Sequence, residues 1–383
     1  MPHHSNGEMS AQARRRWCRQ YLGTASHRNK ACAFISPPKN ENSQRRSHRR
    51  FVTLLNNLVN QPQTMLHITD AMVDTLVSTD QALQSMRTAF AAFGNGEAAM
   101  QARERTDAGG VKLSTLGAVI PALGVTGAKV YTTINGQFNF VILLFSTDTG
   151  APLATMDANA ITRLRTAATT VLAAEYLAPP EPQHLFLCGA GVQGMAHAQQ
   201  FVQHLGVQSL CVFDPYAPAD LPVRLAQLTG LPVDKVRRAD NTNGVADADI
   251  VITASRSKEP LFAGERLKPG AFVAAIGSSL PHTRELDDAA LARASVIAVE
   301  WKQQSLQEAG DLVLASPTLN IARKVVELGE LVSSQHAASK TNTASGDITL
   351  YKAVGVGLED IALAGLAYQN YQKQSSYRAP SLT

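Results

Sequence analysis

The spacing of apolar residues changes along the first half of the chain from a helical to a strand-like pattern. Between residues 73 and 93, apolar positions recur every three or four residues, which predicts a helix. Thr69 and Asp70 are candidate caps before it, and a glycine-containing run at 94–96 is expected to end it. Strand-like runs follow at residues 111–118, 129–134, 140–146 and 152–156. The pattern predicts a strand-rich α+β unit that begins near Met65.

Beyond Asn159, short apolar runs alternate with helical segments. Residues 161–177 read as a long helix rich in Ala and Thr. Runs typical of buried strands lie at residues 184–188, 209–213, 249–253, 272–276 and 296–299, and a helical segment at 195–204 follows the first of them. This alternation predicts an α/β architecture with a doubly wound parallel sheet. Residues 348–369 read as a further helix, which we expect to return to the α+β unit.

Composition and charge exclude several classes of protein. Hydrophobic residues make up 45% of the chain and charged residues 17%, which favours a packed core. No apolar stretch has the length needed to span a bilayer, so no membrane partner is expected. The four cysteines show neither disulfide nor zinc-ligand spacing, which predicts a reducing compartment and no metal site.

The net charge of +4 is unevenly distributed along the chain. Residues 1–64 contain eleven Lys and Arg against two acidic residues, so the remainder is net negative. A basic tail on an acidic body argues against a nucleic-acid partner. The tail has no helical or strand period, and we expect it to be disordered. It could be a silent extension, upstream translation before a start at Met65, or a transit peptide; the protein is accordingly expected in the cytoplasm, or in mitochondria under the last interpretation.

A glycine-rich turn carries the clearest chemical signal. The apolar run at 185–188 is followed at once by Gly189-x-Gly191-x-x-Gly194 and then by a helical segment. In this strand–turn–helix context, the first glycine permits the tight turn, the second lets backbone approach a pyrophosphate, and the third allows close helix–strand packing. Val192 and Gln193 complete the turn, whose free N–H groups favour an anion. The alternative is a glycine turn that binds no ligand.

An acidic residue ends the strand after this turn. Asp214 stands 25 residues after Gly189, near the offset of the carboxylate that accepts a hydrogen bond from the adenosine ribose. No arginine occupies the three positions after it. We therefore expect NAD(H) as the cofactor, with NADP(H) as the alternative.

Seven segments outside the turn match one family in the right order. They are QARERT at 101–106, VIPA at 119–122, GAKV at 127–130, LRTAA at 164–168, IGSSLP at 276–281 with REL at 284–286, GDIT at 346–349, and VGVGLED at 354–360. With them the chain resembles the ornithine cyclodeaminase/mu-crystallin family over about residues 65–370.

The resemblance implies a homodimer of two-domain subunits. A Rossmann domain at 161–347 would bind the dinucleotide, and a substrate-binding and dimerisation domain would be built from 65–160 and 348–375. Family members act on small amino acids or cyclic imino acids. They include cyclodeaminases with a tightly held NAD, ketimine reductases such as the Δ1-pyrroline-2-carboxylate reductases, and alanine dehydrogenases.

Several site residues are implied by the same resemblance. Arg105 matches the arginine that binds the substrate carboxylate, with its neighbour Arg103 left as an alternative. Lys129 matches a lysine beside the substrate, where burial would lower its pKa and make it a proton donor to the substrate nitrogen or a partner of the substrate carboxylate. Arg165 would contact both substrate carboxylate and cofactor, and Thr166 would lie near the pyrophosphate. Without the resemblance, the arginines read as surface side chains and Lys129 as an edge-strand lysine.

Ser279 distinguishes between the activities of the family. Ornithine cyclodeaminases carry an aspartate at the matching position, whereas mu-crystallin-like ketimine reductases carry serine. A hydroxyl cannot accept a proton at neutral pH, so the expected reaction is the reduction of a cyclic ketimine to L-proline or L-pipecolate. Ornithine cyclodeaminase, alanine dehydrogenase and a nucleotide-binding protein without turnover stay as alternatives. Glu308 and Asp311 are expected near the pocket, with their roles left open.

Overall fold

A computed structural model describes residues 65–333 and 347–378. The basic segment 1–64, and with it the disorder, start-site and transit interpretations, lies outside the described residues. The same holds for Gly346 of the family-like segment at 346–349. None of the described helices is long and apolar enough to cross a bilayer.

The first part of the chain forms a six-stranded sheet with helices on one side. Its strands are β1 (Leu66–Ile68), β2 (Ala99–Ala108), β3 (Val111–Ile120), β4 (Val125–Ile134), β5 (Gln137–Ser146) and β6 (Pro152–Asp157), in the order β1-β6-β5-β4-β3-β2. All neighbours are antiparallel except β1 and β6. Strand β2 was absent from the predicted runs because its sequence, AMQARERTDA, is mostly polar and half-exposed.

The helix predicted over residues 73–93 is in fact two helices, α1 (Asp70–Leu76) and α2 (Thr79–Gly94). The Thr69 side chain caps α1, as the sequence predicted. The break follows from Ser78, whose hydroxyl accepts from the Gln81 backbone while the Gln81 side chain accepts from the Ser78 backbone. This reciprocal cap satisfies helix-terminal N–H groups at a position that apolar spacing alone does not mark.

The second part is an eight-stranded, wholly parallel sheet, which confirms the doubly wound architecture. Its strands are β7 (His184–Cys188), β8 (Ser209–Phe213), β9 (Val236–Arg238), β10 (Ile250–Thr253), β11 (Phe272–Ala275), β12 (Ala294–Val299), β13 (Val325–Glu327) and β14 (Ile348–Lys352). Their order is β13-β12-β14-β11-β10-β7-β8-β9. The intervening helices are α3 (Asn159–Leu177), α4 (Val192–Leu205), α5 (Leu221–Thr229), α6 (Asp288–Arg293), α7 (Lys302–Glu308), α8 (Gly310–Val313) and α9 (Leu328–Val332).

The helix predicted from residue 348 was wrong over its first part. Residues Ile348–Lys352 form β14, which pairs with β11 and β12 in the middle of the parallel sheet. Helix α10 (Gly357–Arg378) starts only after it and packs on β3 and β4 of the first sheet. All five β14 residues are buried, and a strand covered on both faces shows no alternation that would separate it from a helix. The assignment of residue 348 onward to the α+β domain is therefore corrected: β14 joins the parallel sheet.

Helix α3 links the two sheets. It is buried over most of its surface, with Leu164, Arg165 and Thr166 among the buried residues, and it packs on α2 and α4. Its small Ala and Thr side chains let neighbouring helices approach it closely. This position carries Arg165 into the space between the α+β sheet and the glycine turn.

Candidate active site

The three turn glycines meet three different surroundings. Gly189 has a φ of +94°, and a Cβ there would lie 2.7 Å from the Ala254 carbonyl oxygen. A Cβ on Gly194 would lie 1.9 Å from the Gly189 carbonyl oxygen. A Cβ on Gly191 would meet nothing within 4 Å. The first and third glycines are thus required by the fold itself, whereas Gly191 leaves an open cradle at the start of α4 that fits a pyrophosphate.

Asp214 closes the turn from the next strand. Its Oδ2 accepts a hydrogen bond from the Ala190 N–H at 2.8 Å, and its Oδ1 accepts from the Tyr216 N–H at 2.9 Å. Each oxygen keeps a lone pair for a ribose hydroxyl. Arg238, at the end of β9, donates to the Asp214 carbonyl oxygen at 3.2 Å. No arginine follows Asp214 directly in the sequence, but the fold places Arg238 beside it.

Lys129 is a buried ammonium on β4. Its Nζ donates to the Thr162 hydroxyl at 2.6 Å and to Asp360 Oδ1 at 3.2 Å, and it lies 4.4 Å from the centre of the Phe140 ring. Burial lowers the pKa of Lys129 from 10.5 to about 8, although Asp360 acts in the opposite direction. The pKa of Lys129 is therefore lowered by burial, as the sequence analysis expected.

Asp360 joins Lys129 to Arg165. Its Oδ1 accepts from Arg165 Nε at 3.1 Å as well as from Lys129, while the Arg165 Nη1 donates to Glu359. Burial opposes ionisation of Asp360, but Arg165 and Lys129 hold its pKa below the ordinary value. Among the described residues, its Oδ2 is buried without a hydrogen-bond partner. An unpaired carboxylate oxygen beside an ammonium is a ready acceptor for a bound N–H group.

Arg103 and Arg105 reach the same carboxylate. Glu308 Oε2 accepts from Arg103 at 2.6 Å, and Glu308 Oε1 accepts from Arg105 at 2.5 Å. Arg103 also donates to the carbonyl oxygens of Val354 at 3.0 Å and Gly355 at 2.6 Å, and its side chain is 6% exposed. Arg105 is 23% exposed and, within the described chain, makes no other hydrogen bond. Arg105 therefore keeps donors for a ligand, whereas Arg103 is committed to the protein.

Arg103 and Arg165 approach each other at Gly355. Arg103 donates to its carbonyl oxygen, and a Cβ on Gly355 would lie 2.8 Å from Arg165 Nη2. Its φ of +76° is a conformation that glycine adopts without strain. The structure thus brings Arg103, Arg105, Lys129 and Arg165 together.

Thr162 connects this cluster to the glycine turn. The Gln193 amide donates to the Thr162 carbonyl oxygen at 3.3 Å, while the Thr162 hydroxyl accepts from Lys129. Thr166, one turn later on α3, donates its hydroxyl back to the same carbonyl oxygen at 2.6 Å. Thr162 therefore contacts Lys129 through its hydroxyl group and the glycine turn through its carbonyl oxygen.

Ser279 lies in the loop after β11 and is half-buried. In the described part of the chain, its hydroxyl forms no hydrogen bond with Lys129, Arg105 or Arg165. The loop itself is fixed by Glu285, which accepts from the Gly277 N–H at 2.8 Å and from the Ser255 N–H at 2.8 Å. Glu285 thereby ties the loops that follow β10 and β11, next to the glycine turn.

Sequence reasoning missed Asp360, Glu359 and Glu285 and left Glu308 without a role. Three of them lie in or beside segments that had been singled out, REL at 284–286 and VGVGLED at 354–360. Each is less than a tenth exposed. Acidic residues are almost never fully buried unless paired, so the acidic pair Glu359 and Asp360 inside an otherwise apolar run was an available signal. Glu285 and Glu308 stand in polar stretches, which gave no such signal.

Comparison with known proteins supports the resemblance drawn from the sequence. The model of the ornithine cyclodeaminase/mu-crystallin family matches residues 62–375. The ketimine reductase mu-crystallin of Mus musculus is 33% identical over 231 residues, which are 60% of this chain and 69% of that protein. A Δ1-pyrroline-2-carboxylate reductase of Bacillus cereus is 30% identical over 278 residues, covering 71% of this chain and 80% of that enzyme.

A solved structure shares the whole architecture. The probable ornithine cyclodeaminase from Bordetella pertussis Tohama I is 55% identical, and the match covers 83% of this chain and 100% of that one with a TM-score of 0.78. The family match extends over nearly all described residues and includes every strand of both sheets. The chain belongs to the ornithine cyclodeaminase/mu-crystallin family.

Proposed function

We propose that this protein is an NAD(P)H-dependent oxidoreductase that reduces a cyclic ketimine carboxylic acid. The substrates would be Δ1-pyrroline-2-carboxylate and its six-membered homologue Δ1-piperideine-2-carboxylate, and the products L-proline and L-pipecolate. The observation that carries the proposal is the buried Lys129, whose pKa of about 8 suits a proton donor to an imine nitrogen. Relatives named as ketimine and pyrroline-carboxylate reductases support the same reaction.

Arg105 would bind the substrate carboxylate. With Nη1 on Glu308, its Nε and Nη2 form a free edge that matches the two oxygens of a carboxylate. Arg165 would assist through Nη2, since its Nε and Nη1 are held by Asp360 and Glu359. Both guanidinium groups are positioned by acids before the substrate arrives, which lowers the entropy cost of orienting it.

Lys129 would donate the proton. As an ammonium it transfers the proton to the imine nitrogen, which makes the neighbouring carbon electrophilic, and it is left as a neutral amine that burial favours. The unpaired Asp360 Oδ2 would accept a hydrogen bond from the nitrogen as it becomes an N–H group. A water molecule held by Ser279 is the alternative source of this proton.

The glycine turn would hold the cofactor. Gly189, Gly191, Val192, Gln193 and Gly194 would receive the pyrophosphate, and Thr166 would lie beside it. Asp214 would accept from the adenosine ribose, which favours NAD(H), while Arg238 beside it keeps NADP(H) as an alternative. The bound nicotinamide supplies the hydride to the C=N carbon.

Ornithine cyclodeaminase activity is the second candidate. It is favoured by the 55% identity to a protein that bears this name. Ser279 stands against it because a hydroxyl does not take up a proton at neutral pH, as the acid/base step of deamination requires. The two activities differ in whether NADH is consumed.

We further propose that two copies associate through the outer face of the first sheet. Five exposed aliphatic side chains lie on the face of this sheet opposite Lys129. Three of them belong to β3, one to β4 and one to β5. They are Val111 (42% exposed), Leu113 (45%), Val119 (46%), Ile134 (43%) and Val141 (42%). Exposed aliphatic side chains on one face of a sheet fit an identical sheet related by a twofold axis.

A substrate panel tests the reaction. Oxidation of NADH and of NADPH is followed with each cyclic ketimine and with pyruvate plus ammonia, and ammonia release is followed with ornithine. We expect turnover with a cyclic ketimine. Ammonia release from ornithine without net NADH consumption would establish the cyclodeaminase instead. Turnover with pyruvate would indicate an alanine dehydrogenase, and nucleotide binding without any turnover a binding protein.

Two glycine variants separate folding from cofactor binding. Gly194→Ala should lower the free energy of unfolding by roughly 1–3 kcal/mol because its Cβ would overlap a carbonyl oxygen. Gly191→Ala should unfold at the wild-type urea concentration but bind NADH at least tenfold more weakly, since the new methyl group fills the cradle. Equal NADH affinity of Gly191→Ala and wild type would contradict the assigned pyrophosphate site.

The role of Lys129 predicts a pH dependence. Because the proton donor must be protonated, kcat/KM should fall as pH rises through about 8, the pKa of Lys129. Lys129→Gln should lose about 10²- to 10⁴-fold in kcat/KM while NADH affinity stays within about twofold. Lys112→Gln, which removes a lysine paired with Asp107 on the surface, serves as control. Wild-type rates for Lys129→Gln would rule out the proton-donor role.

The proposed dimer is tested by charge insertion. Leu113→Lys and Val119→Lys place ammonium groups on the outer face and should convert dimer to monomer in sedimentation velocity experiments. Val223→Lys on α5, where Val223 is 43% exposed, is the matched control and should leave the mass unchanged. A monomeric wild-type protein at micromolar concentration would refute the interface.

A further inference from the structure

We propose that Glu308 determines substrate specificity by limiting the site to one carboxylate, so that monocarboxylic imines are accepted and dicarboxylic ones rejected. This inference rests on the proposed function, because it assumes that Arg105 binds the substrate carboxylate. It gives a role to Glu308, which takes no part in the proposed cofactor binding or proton transfer.

The carboxylate of Glu308 is fully engaged by cations and an amide. Its Oε1 accepts from Arg105 at 2.5 Å, and its Oε2 accepts from Arg103 at 2.6 Å and from the Gln304 amide at 3.1 Å. The Glu308 side chain is 10% exposed. Three donors in a largely buried setting hold the Glu308 carboxylate in place.

The two arginines would otherwise present two positive charges to the pocket. Arg103 cannot turn towards a ligand without giving up Glu308 and two backbone carbonyl oxygens. Arg105 has a single protein acceptor among the described residues and is the more exposed of the pair. With Glu308 between them, the pair has one net positive charge, which a single substrate carboxylate neutralises.

A second carboxylate on the substrate would add a negative charge that the single net positive charge of Arg103, Glu308 and Arg105 does not balance, and Glu308 would repel it. Repulsion between like charges is strong where water is largely excluded. The remaining cations do not relieve it. Lys129 and Arg165 already donate to Asp360 and Glu359, and Arg165 Nη2 would serve the same substrate carboxylate as Arg105. The pairing of Arg103, Glu308 and Arg105 would therefore disfavour the binding of dicarboxylic imines.

Binding of two stable planar acids tests the proposal without turnover. The dissociation constants of pyrrole-2-carboxylate and pyrrole-2,5-dicarboxylate are measured by titration calorimetry on the full-length protein with NADH present. Wild type should bind the monoacid more tightly. In Glu308→Gln, the ratio of the two constants should shift at least tenfold towards the diacid.

The ratio of the two dissociation constants separates the effect of the Glu308 charge from its effect on the orientation of Arg105. Both acids use Arg105, so any loss of its orientation in Glu308→Gln weakens both alike and cancels in the ratio. Glu308→Asp, which keeps the charge, should retain the wild-type preference. Arg103→Gln, which removes a cation and leaves Glu308, should shift the ratio away from the diacid and serves also if Glu308→Gln does not fold. Glu175→Gln, which breaks the surface pair with Arg87, should leave the ratio unchanged.

The outcomes distinguish this proposal from the one on which it rests. If both acids bind wild type and the ratio in Glu308→Gln stays within twofold, Glu308 does not set specificity although the carboxylate site stands. An equal shift in Glu308→Asp would also overturn the proposal, because charge would then not be the cause. If neither acid binds wild type, the carboxylate site itself is wrong and both proposals fall.

Discussion

The site depends on one buried ionic contact, the carboxylate of Asp360 shared between Lys129 and Arg165. It joins three elements from different parts of the chain: α10 carries Asp360, β4 carries Lys129 and α3 carries Arg165. Burying such charges is costly, and removing one partner of a buried pair typically costs about 3–5 kcal/mol. The contact is therefore a constraint that fixes α10 and α3 against the sheet, and it holds the two cations near each other despite their mutual repulsion.

The same constraint produces the chemistry. If Lys129 were exposed, it would stay protonated throughout the neutral range. Burial lowers its pKa to about 8, while Asp360 keeps the ammonium form accessible. Thr162 connects Lys129 with the glycine turn, and Arg103 and Arg165 approach each other at Gly355.

The acids have separate tasks in this arrangement. Asp360 pairs with Lys129, and Glu308 accepts from both Arg103 and Arg105. Asp214 and Glu285 accept from backbone N–H groups of loops at the carboxyl ends of the parallel strands. Ligands of such sheets bind at these strand ends. The acids therefore shape a cationic pocket by pairing its charges, and they leave Arg105 and the Gly191 cradle as its open groups.

The sequence by itself predicted the parallel sheet and the glycine turn, because apolar period and glycine spacing are local properties. Its resemblance to the family proposed Lys129, Arg105 and Arg165 as site residues. The apolar pattern misread β14 as helix, since a strand buried on both faces has no alternation, and it overlooked the cap at Ser78. Only the tertiary structure showed that Arg103 donates to two backbone carbonyl oxygens, brought Arg238 to Asp214, and revealed Asp360 as the shared partner of Lys129 and Arg165. Charge pairing between distant segments depends on which elements meet in space, and no spacing along the chain records that.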